Sequence, residues 1–80
     1  MKAYQPEVHV DLQGARPARL IWQGQAYAVQ AVLDRWRFGG RWWLGERPRT
    51  CFLVQAGLLT AELHHEDGEG GRWWLARMVD

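Results

Sequence analysis

Serine and asparagine are absent from this 80-residue chain, and cysteine occurs once. Without serine, the aliphatic hydroxyls available for nucleophilic catalysis are those of Thr50 and Thr60. A phosphate-binding loop, a dinucleotide fingerprint and a Cys-x-x-Cys pair are also missing. We therefore expect a protein that is not an enzyme and that carries no cofactor.

The single cysteine, Cys51, lies in the apolar run 51–54 and has no second cysteine for an internal disulfide. We interpret it as a small buried hydrophobic residue of a protein in a reducing compartment. No apolar segment follows Met1 and Lys2, and the longest uncharged apolar stretches are far shorter than a membrane span. These features predict a cytoplasmic protein that has no membrane partner.

Charge is nearly balanced, with ten basic and nine acidic residues, so no strong overall field attracts phosphates from a distance. Nine of the ten basic residues are arginine, whose planar guanidinium stacks on rings and donates paired hydrogen bonds. A genome rich in G and C would produce the same bias. The length predicts a single β domain spanning residues 1–80, whose modest core depends on the six tryptophans for packing.

Short apolar segments separated by glycine turns predict an all-β fold. A tight turn is expected at Gln23 and Gly24. Six or seven short strands in this length predict a small antiparallel barrel or half-barrel of SH3-like or OB-like size. Apart from the segment that follows the tight turn, the expected strands are 8–12, 18–22, 50–55, 58–65 and 72–79.

The segment 25–37 fits two structures. Its apolar residues follow the i, i+3, i+4, i+7 spacing of an amphipathic helix at Val29, Val32, Leu33 and Trp36. The glycine turns on both sides, and the short strands elsewhere, favour a long strand instead. We expect that strand to be bent by a bulge near Gln30 and Ala31, and a helix over 25–37 is the alternative.

The sequence Gly-Gly-Arg-Trp-Trp-Leu occurs at 39–44 and again at 70–75. We expect each copy to begin a strand after a glycine turn, which sends successive side chains to opposite faces of the sheet. The face turned to the core would hold Trp42 with Leu44, and Trp73 with Leu75 and Val79. The second face would hold Arg41 with Trp43, and Arg72 with Trp74. The alternative is that every indole is a core or loop-sealing side chain.

The second face of the two doublets is the candidate binding site. Unpaired bases stack on exposed indoles while guanidinium groups contact phosphate, so single-stranded DNA is a candidate partner. Exposed tryptophan and arginine are equally typical of protein interfaces, so a polymerase or repair protein, or a second copy of the chain, is the other candidate. The locally positive stretch 35–49 favours nucleic acid. The candidate binding residues are Arg41, Trp43, Arg72, Trp74, Arg47, Arg49 and Arg77.

The only cluster of potential metal ligands lies at 64–69, where two adjacent histidines precede three acidic residues. Adjacent histidines in a strand point in opposite directions, so they do not form a two-histidine site. We expect a solvated hairpin end without a metal, and a structural role for His9.

The order of the sequence elements resembles an uncharacterised bacterial domain family whose members occur alone. It also looks like the module that follows the polymerase-like domain in catalytically degenerate Y-family polymerase homologues of the damage-inducible mutagenesis system. The likeness covers the chain from about Leu20 onward, and its most specific parts are the Trp-Trp doublet and the Arg-x-x-x-x-Val strand after it. The segments that carry it are 20–29, 36–37 with 40–43, 49–54, 62–63 and 71–77.

This resemblance implies a link to DNA repair or translesion synthesis without enzymatic activity, and it supplies no catalytic residue. The sequence departs from the common pattern at Cys51 and Phe52, where paired tyrosines would be expected. From the residues and the resemblance together we expect a DNA-repair-associated module that binds nucleic acid through its Trp/Arg face. The alternative is a protein adaptor or self-association module that uses the same face.

Overall fold

A computed structural model describes residues 7–39, 42–45, 47–68 and 70–79, with the backbone alone at Trp42 and Val79. These residues form six strands, one 3-10 turn at Trp42–Leu44 and no α-helix. The strands are β1 (Glu7–Gln13), β2 (Arg16–Trp22), β3 (Gln25–Phe38), β4 (Arg49–Ala56), β5 (Leu59–Glu66) and β6 (Trp73–Val79).

The six strands pair with their sequence neighbours, always antiparallel, and close into a barrel when β1 meets β6. Within the described residues, β1 and β6 pair at two positions, Glu7 with Trp74 and Val8 with Trp73. Closure pairs most of the strand edges, which protects them from unwanted pairing. The prediction of a small all-β antiparallel barrel is therefore confirmed, with six strands.

The expected tight turn joins β2 to β3. Both of its residues have positive φ, 51° at Gln23 and 77° at Gly24. That conformation matches the right-handed twist of the strands on either side, and glycine adopts it without strain. Turns of the same length connect β1 to β2 and β4 to β5, so three of the five connections fix the register of their hairpins.

The segment 25–37 is a strand rather than a helix, as the glycine turns predict, and it belongs to the 14-residue β3. The first part of β3 pairs with β2 and the rest pairs with β4. Its pairing with β4 shifts between Val29 and Ala31, where the bulge was expected, and again between Val32 and Asp34. Bulges increase the local bend and twist, so one strand can serve two neighbours around the barrel.

The barrel interior is filled by apolar side chains from all six strands, with those of β3 partly buried against a core supplied by the other five. Strand β4 is the most deeply buried, because Thr50, Cys51 and Phe52 are covered on both of its faces. Cys51 is completely buried and has no disulfide, as the sequence predicts. The buried core cluster consists of Val10, Leu20, Phe52, Val54, Ala61, Leu63, Trp73 and Leu75.

The two copies of the repeated hexapeptide have different structures. The second copy leads into β6, where Trp73 and Leu75 enter the core and Trp74 lies on the opposite face, as predicted. A shift in the β5–β6 register then places Met78 against the core, and the side chain of Val79 lies outside the described residues.

The prediction for the first copy is wrong, because Trp42–Leu44 is a 3-10 turn in the connection between β3 and β4. Phe38 and Arg49 pair with each other, so this turn lies in a connection between two strands that are side by side. Trp42 and Trp43 therefore do not divide between the two faces of a sheet.

Gly71 in the second copy is required by packing. A Cβ atom at Gly71 would lie 2.0 Å from the carbonyl oxygen of Glu66, whereas one at Gly39 in the first copy would meet nothing within 4 Å. The loop is held tightly there, because the Glu66 amide donates to the Arg72 carbonyl at 2.9 Å and the Gly71 amide donates to the Gly68 carbonyl at 3.2 Å.

We therefore expect Gly71→Ala to lower the free energy of unfolding by about 1–3 kcal/mol, the usual cost of forcing an extra methyl group into a packed site. Gly39→Ala is the matched control and should change it by less than about 0.5 kcal/mol. Urea unfolding followed by circular dichroism measures both. Equal stability of the two variants would contradict the tight β5–β6 loop.

Candidate functional site

The outer side of the barrel carries a row of side chains that runs across four strands. Direct pairing aligns Trp36 of β3 with Cys51 of β4, Cys51 with His64 of β5, and His64 with Trp74 of β6. In an antiparallel sheet, directly opposed residues point to the same side. Since Trp73 points into the core, this row with Trp74 faces outward.

Arg49 lies at one end of this outer side, as the first residue of β4. Its guanidinium carbon stands 5.8 Å from the centre of the Trp74 ring, and its backbone partner in β3 is Phe38. Guanidinium groups are attracted to the faces of indoles, so Arg49 and Trp74 form one combined contact. Phe38 is 49 % exposed and Trp36 is 36 % exposed, so both rings beside this contact are open to a ligand.

Trp43 adds a third open ring at the same end of the barrel. The 3-10 turn that carries it belongs to the connection that leaves β3 at Phe38 and enters β4 at Arg49. Trp43 is 63 % exposed, and the neighbouring Leu44 is 62 % exposed. We call the set of Trp36, Phe38, Trp43, Arg49 and Trp74 the outer aromatic surface.

A chain of polar contacts fixes the floor of the outer aromatic surface. Arg49 donates to Nδ1 of His64 at 3.4 Å, and Nε2 of His64 donates to a Glu62 carboxylate oxygen at 2.7 Å. The other Glu62 oxygen forms an ion pair with a guanidinium nitrogen of Arg77 at 3.3 Å. This pattern assigns the ring hydrogen of neutral His64 to Nε2. The Nε1 atom of Trp74 is buried and has no hydrogen-bond partner among the described residues.

The sequence-predicted binding residues are only partly brought together. Trp43, Trp74 and Arg49 belong to the outer aromatic surface, but Arg77 is paired with Glu62 rather than held for a phosphate. Arg41 lies outside the described residues.

Arg47 and Arg72 are exposed, and no described carboxylate forms an ion pair with either side chain. The Asp67 amide donates to the Pro48 carbonyl at 2.8 Å, which joins the loops that carry these two arginines. Both arginines therefore belong to linked loops, at the end of the barrel where the outer aromatic surface lies.

Arginines also line the inner side of this end of the barrel. Arg37 forms an ion pair with Asp67 and donates to the Thr50 hydroxyl at 3.3 Å, and that hydroxyl donates to Asp67 at 3.2 Å. The Arg35 guanidinium carbon stands 5.7 Å from the centre of the Phe52 ring. Arg37 thus ties β3 and β4 to the β5–β6 loop, while Arg35 borders a cavity.

Trp36, Phe38, Arg35 and His65 were missed as candidate site residues. The signal that could have found them is the strand period: β3 alternates arginine and aromatic residues from Arg35 to Phe38, which sends the two types to opposite sides. His65 stacks on Trp73 with ring centres 4.3 Å apart, a contact that depends on the β5–β6 register. The histidine pair does diverge, since His64 faces outward.

Within the described part of the chain, no group of three or more His, Cys, Asp or Glu side chains could hold a metal ion. None of the helical residues described there forms a segment of the length and apolar character needed to cross a membrane.

A protein-family model described as "Domain of unknown function (DUF6504)" matches residues 1–80, so the chain belongs to that family. No curated protein and no solved structure matches the chain.

Burial raises the pKa of the Cys51 thiol above its ordinary value of 9.0, and the nearby Glu62 charge adds to the effect. The thiol therefore stays protonated at neutral pH, and we expect an aromatic disulfide reagent to modify it about 100-fold more slowly in the folded chain than in urea. Because the folded pKa is raised, this group contributes stability below pH 9.0 and loses that contribution as pH rises through the folded pKa. Equal rates in the folded chain and in urea would contradict the burial of Cys51.

Proposed function

We propose that this DUF6504 domain is a non-enzymatic module that binds single-stranded DNA on the outer aromatic surface. The observation that carries the proposal is the placement of the Arg49 guanidinium over the Trp74 ring, with the exposed rings of Trp36, Phe38 and Trp43 at the same end of the barrel. Flat rings and a guanidinium group on one surface provide stacking and phosphate contact together.

The energetic scale fits a weak to moderate binder. Each base stacked on an aromatic side chain contributes about 1–3 kcal/mol, whatever its identity, so two or three open rings give binding without sequence preference. The exposed Arg47 and Arg72 offer further phosphate contacts. Glu66 pairs opposite Arg49 and Glu7 opposite Trp74, so the surface is not uniformly basic. We therefore expect a modest dependence of affinity on salt.

The role in DNA repair rests on the sequence resemblance to the module beside the polymerase-like domain of degenerate Y-family polymerase homologues. A polymerase that copies damaged DNA works on an exposed single strand, and a neighbouring module with stacking rings would hold that strand near it. We propose that the domain acts in this way in the cytoplasm, with a polymerase or another repair protein as its partner.

An adaptor function is the second candidate, and two neighbouring exposed apolar side chains favour it. Trp43 and Leu44 are both more than 60 % exposed on one short turn. Tryptophan and arginine are the side chains most enriched among residues that dominate protein interfaces. In this case the outer aromatic surface would contact a repair protein or a second copy of the chain.

Fluorescence anisotropy of labelled oligothymidylate, measured at low and high salt, tests the first candidate. We expect Trp43→Ala to weaken binding by about 1–3 kcal/mol, since one stacking ring is lost. Leu58→Ala is the matched control, because Leu58 is 99 % exposed on the β4–β5 turn and carries no role in the site. We expect Leu58→Ala to bind like the wild type.

The wild-type titration separates the two candidates. A flat anisotropy curve at low salt would remove the nucleic-acid function. Association that is insensitive to salt, seen by sedimentation of the chain alone or with a repair protein and abolished by Trp43→Ala, would then support the adaptor.

A further inference from the structure

The end of the barrel near the β5–β6 loop is open on its inner side. The β1–β2 hairpin extends beyond its pairings: β2 pairs with β3 from Arg19 to Trp22, and β1 pairs with β6 at Glu7 and Val8. The tip of that hairpin therefore stands over the barrel end without strand partners among the described residues on either flank. Two adjoining cavities lie under it, of about 440 Å³ and 230 Å³.

We call this opening the barrel mouth. Its volume is of the size that holds small ligands in proteins. The side chains that characterise it are Leu12, Arg16, Arg35, Phe52, His65 and Trp73.

The floor of the barrel mouth is aromatic. The rings of Phe52 and Trp73 lie 5.6 Å apart at 31°, and the His65 ring stacks on Trp73 at 14°. Leu12 is 47 % exposed and supplies an apolar wall from the β1–β2 hairpin. Phe52 and Trp73 are only 4 % and 8 % exposed, so the half-buried His65 ring and the apolar wall offer most of the surface for a planar ligand such as a nucleobase.

The rim of the barrel mouth carries two arginines, Arg16 and Arg35. Among the described residues, carboxylates pair with Arg19, Arg37 and Arg77, but none pairs with Arg16 or Arg35. The described residues that line the two cavities include no aspartate or glutamate. Two guanidinium groups without an ion-pair partner among the described residues, at the rim of an open cavity, favour an anion, and arginine binds phosphate with paired hydrogen bonds.

We propose that the barrel mouth binds a single nucleotide, with the base against His65 and Leu12 beside the nearly buried rings of Phe52 and Trp73, and the phosphate between Arg16 and Arg35. The proposal rests on the proposed function, since the mouth opens at the same end of the barrel as the outer aromatic surface. The nucleotide is either free or the terminal residue of a bound strand, and both share the chemistry of one base and one phosphate.

Titration of the full chain with thymidine 5′-monophosphate, followed by NMR, tests the site. We expect the signals of Phe52, His65 and Trp73 to shift, and thymidine without phosphate to bind at least about tenfold more weakly. We expect Arg35→Gln to weaken nucleotide binding about tenfold as well. Arg19→Gln removes the same charge from the outer side of β2, where Arg19 is paired with Asp11, and should bind like the wild type.

Arg16→Gln provides a second test of the rim if Arg35→Gln fails to fold, and it should weaken binding to a similar extent. Unchanged nucleotide affinity in both variants would overturn the site, as would an equal loss in Arg19→Gln. Shifts restricted to the outer aromatic surface would also overturn it.

A parallel titration with 5′-phosphorylated oligothymidylate separates this site from the proposed function. Tighter binding of the oligonucleotide with the same shifts in the mouth identifies a strand end as the occupant, and tighter binding of the mononucleotide identifies a free nucleotide. Mononucleotide shifts without any oligonucleotide binding would support the mouth and remove the proposed function. Oligonucleotide binding without any mononucleotide shifts in the mouth would support the proposed function and overturn the mouth.

Discussion

The barrel depends on Trp73 for its closure. This residue pairs with Val8 where β6 meets β1, its ring stacks on His65 of β5, and it packs against Phe52 of β4. One indole thus joins four strands at a seam that has two paired positions among the described residues. The adjacent Trp74 must point outward because side chains alternate in a strand. Closing the barrel from the inside therefore places a second indole on its outer side.

Both sides of this barrel end combine a guanidinium group with an aromatic ring. Arg35 lies over Phe52 on the inner side and Arg49 lies over Trp74 on the outer side. The inner contact follows from β3 and β4, where Arg35 and Phe52 pair directly and share a side of the sheet. The two surfaces differ in shape, because the inner one is a cavity and the outer one is broad. A broad surface suits a strand of DNA, and a cavity suits one nucleotide.

Much of the fold follows from local sequence, but the site depends on tertiary pairing. Alternation predicts the division of Trp73 from Trp74, and the glycine turns predict the long β3 with its bulge near Gln30. The repeated hexapeptide is not a reliable guide in its first copy, where Trp42–Leu44 is a 3-10 turn in the connection between β3 and β4. Likewise, the contact of Arg49 with Trp74 spans three strands, and its geometry is fixed by the β4–β5 and β5–β6 registers rather than by any local pattern.

Solvent exposure of the individual indoles most directly tests the division of the tryptophans between the core and the outer aromatic surface. A soluble gadolinium complex broadens the NMR signals of ring protons that it can approach. We expect strong broadening for Trp43, an intermediate effect for Trp74 and almost none for Trp73. Equal protection of Trp43 and Trp73 in the isolated monomer would contradict an open outer aromatic surface, and strong broadening of Trp73 would contradict a barrel closed by that ring.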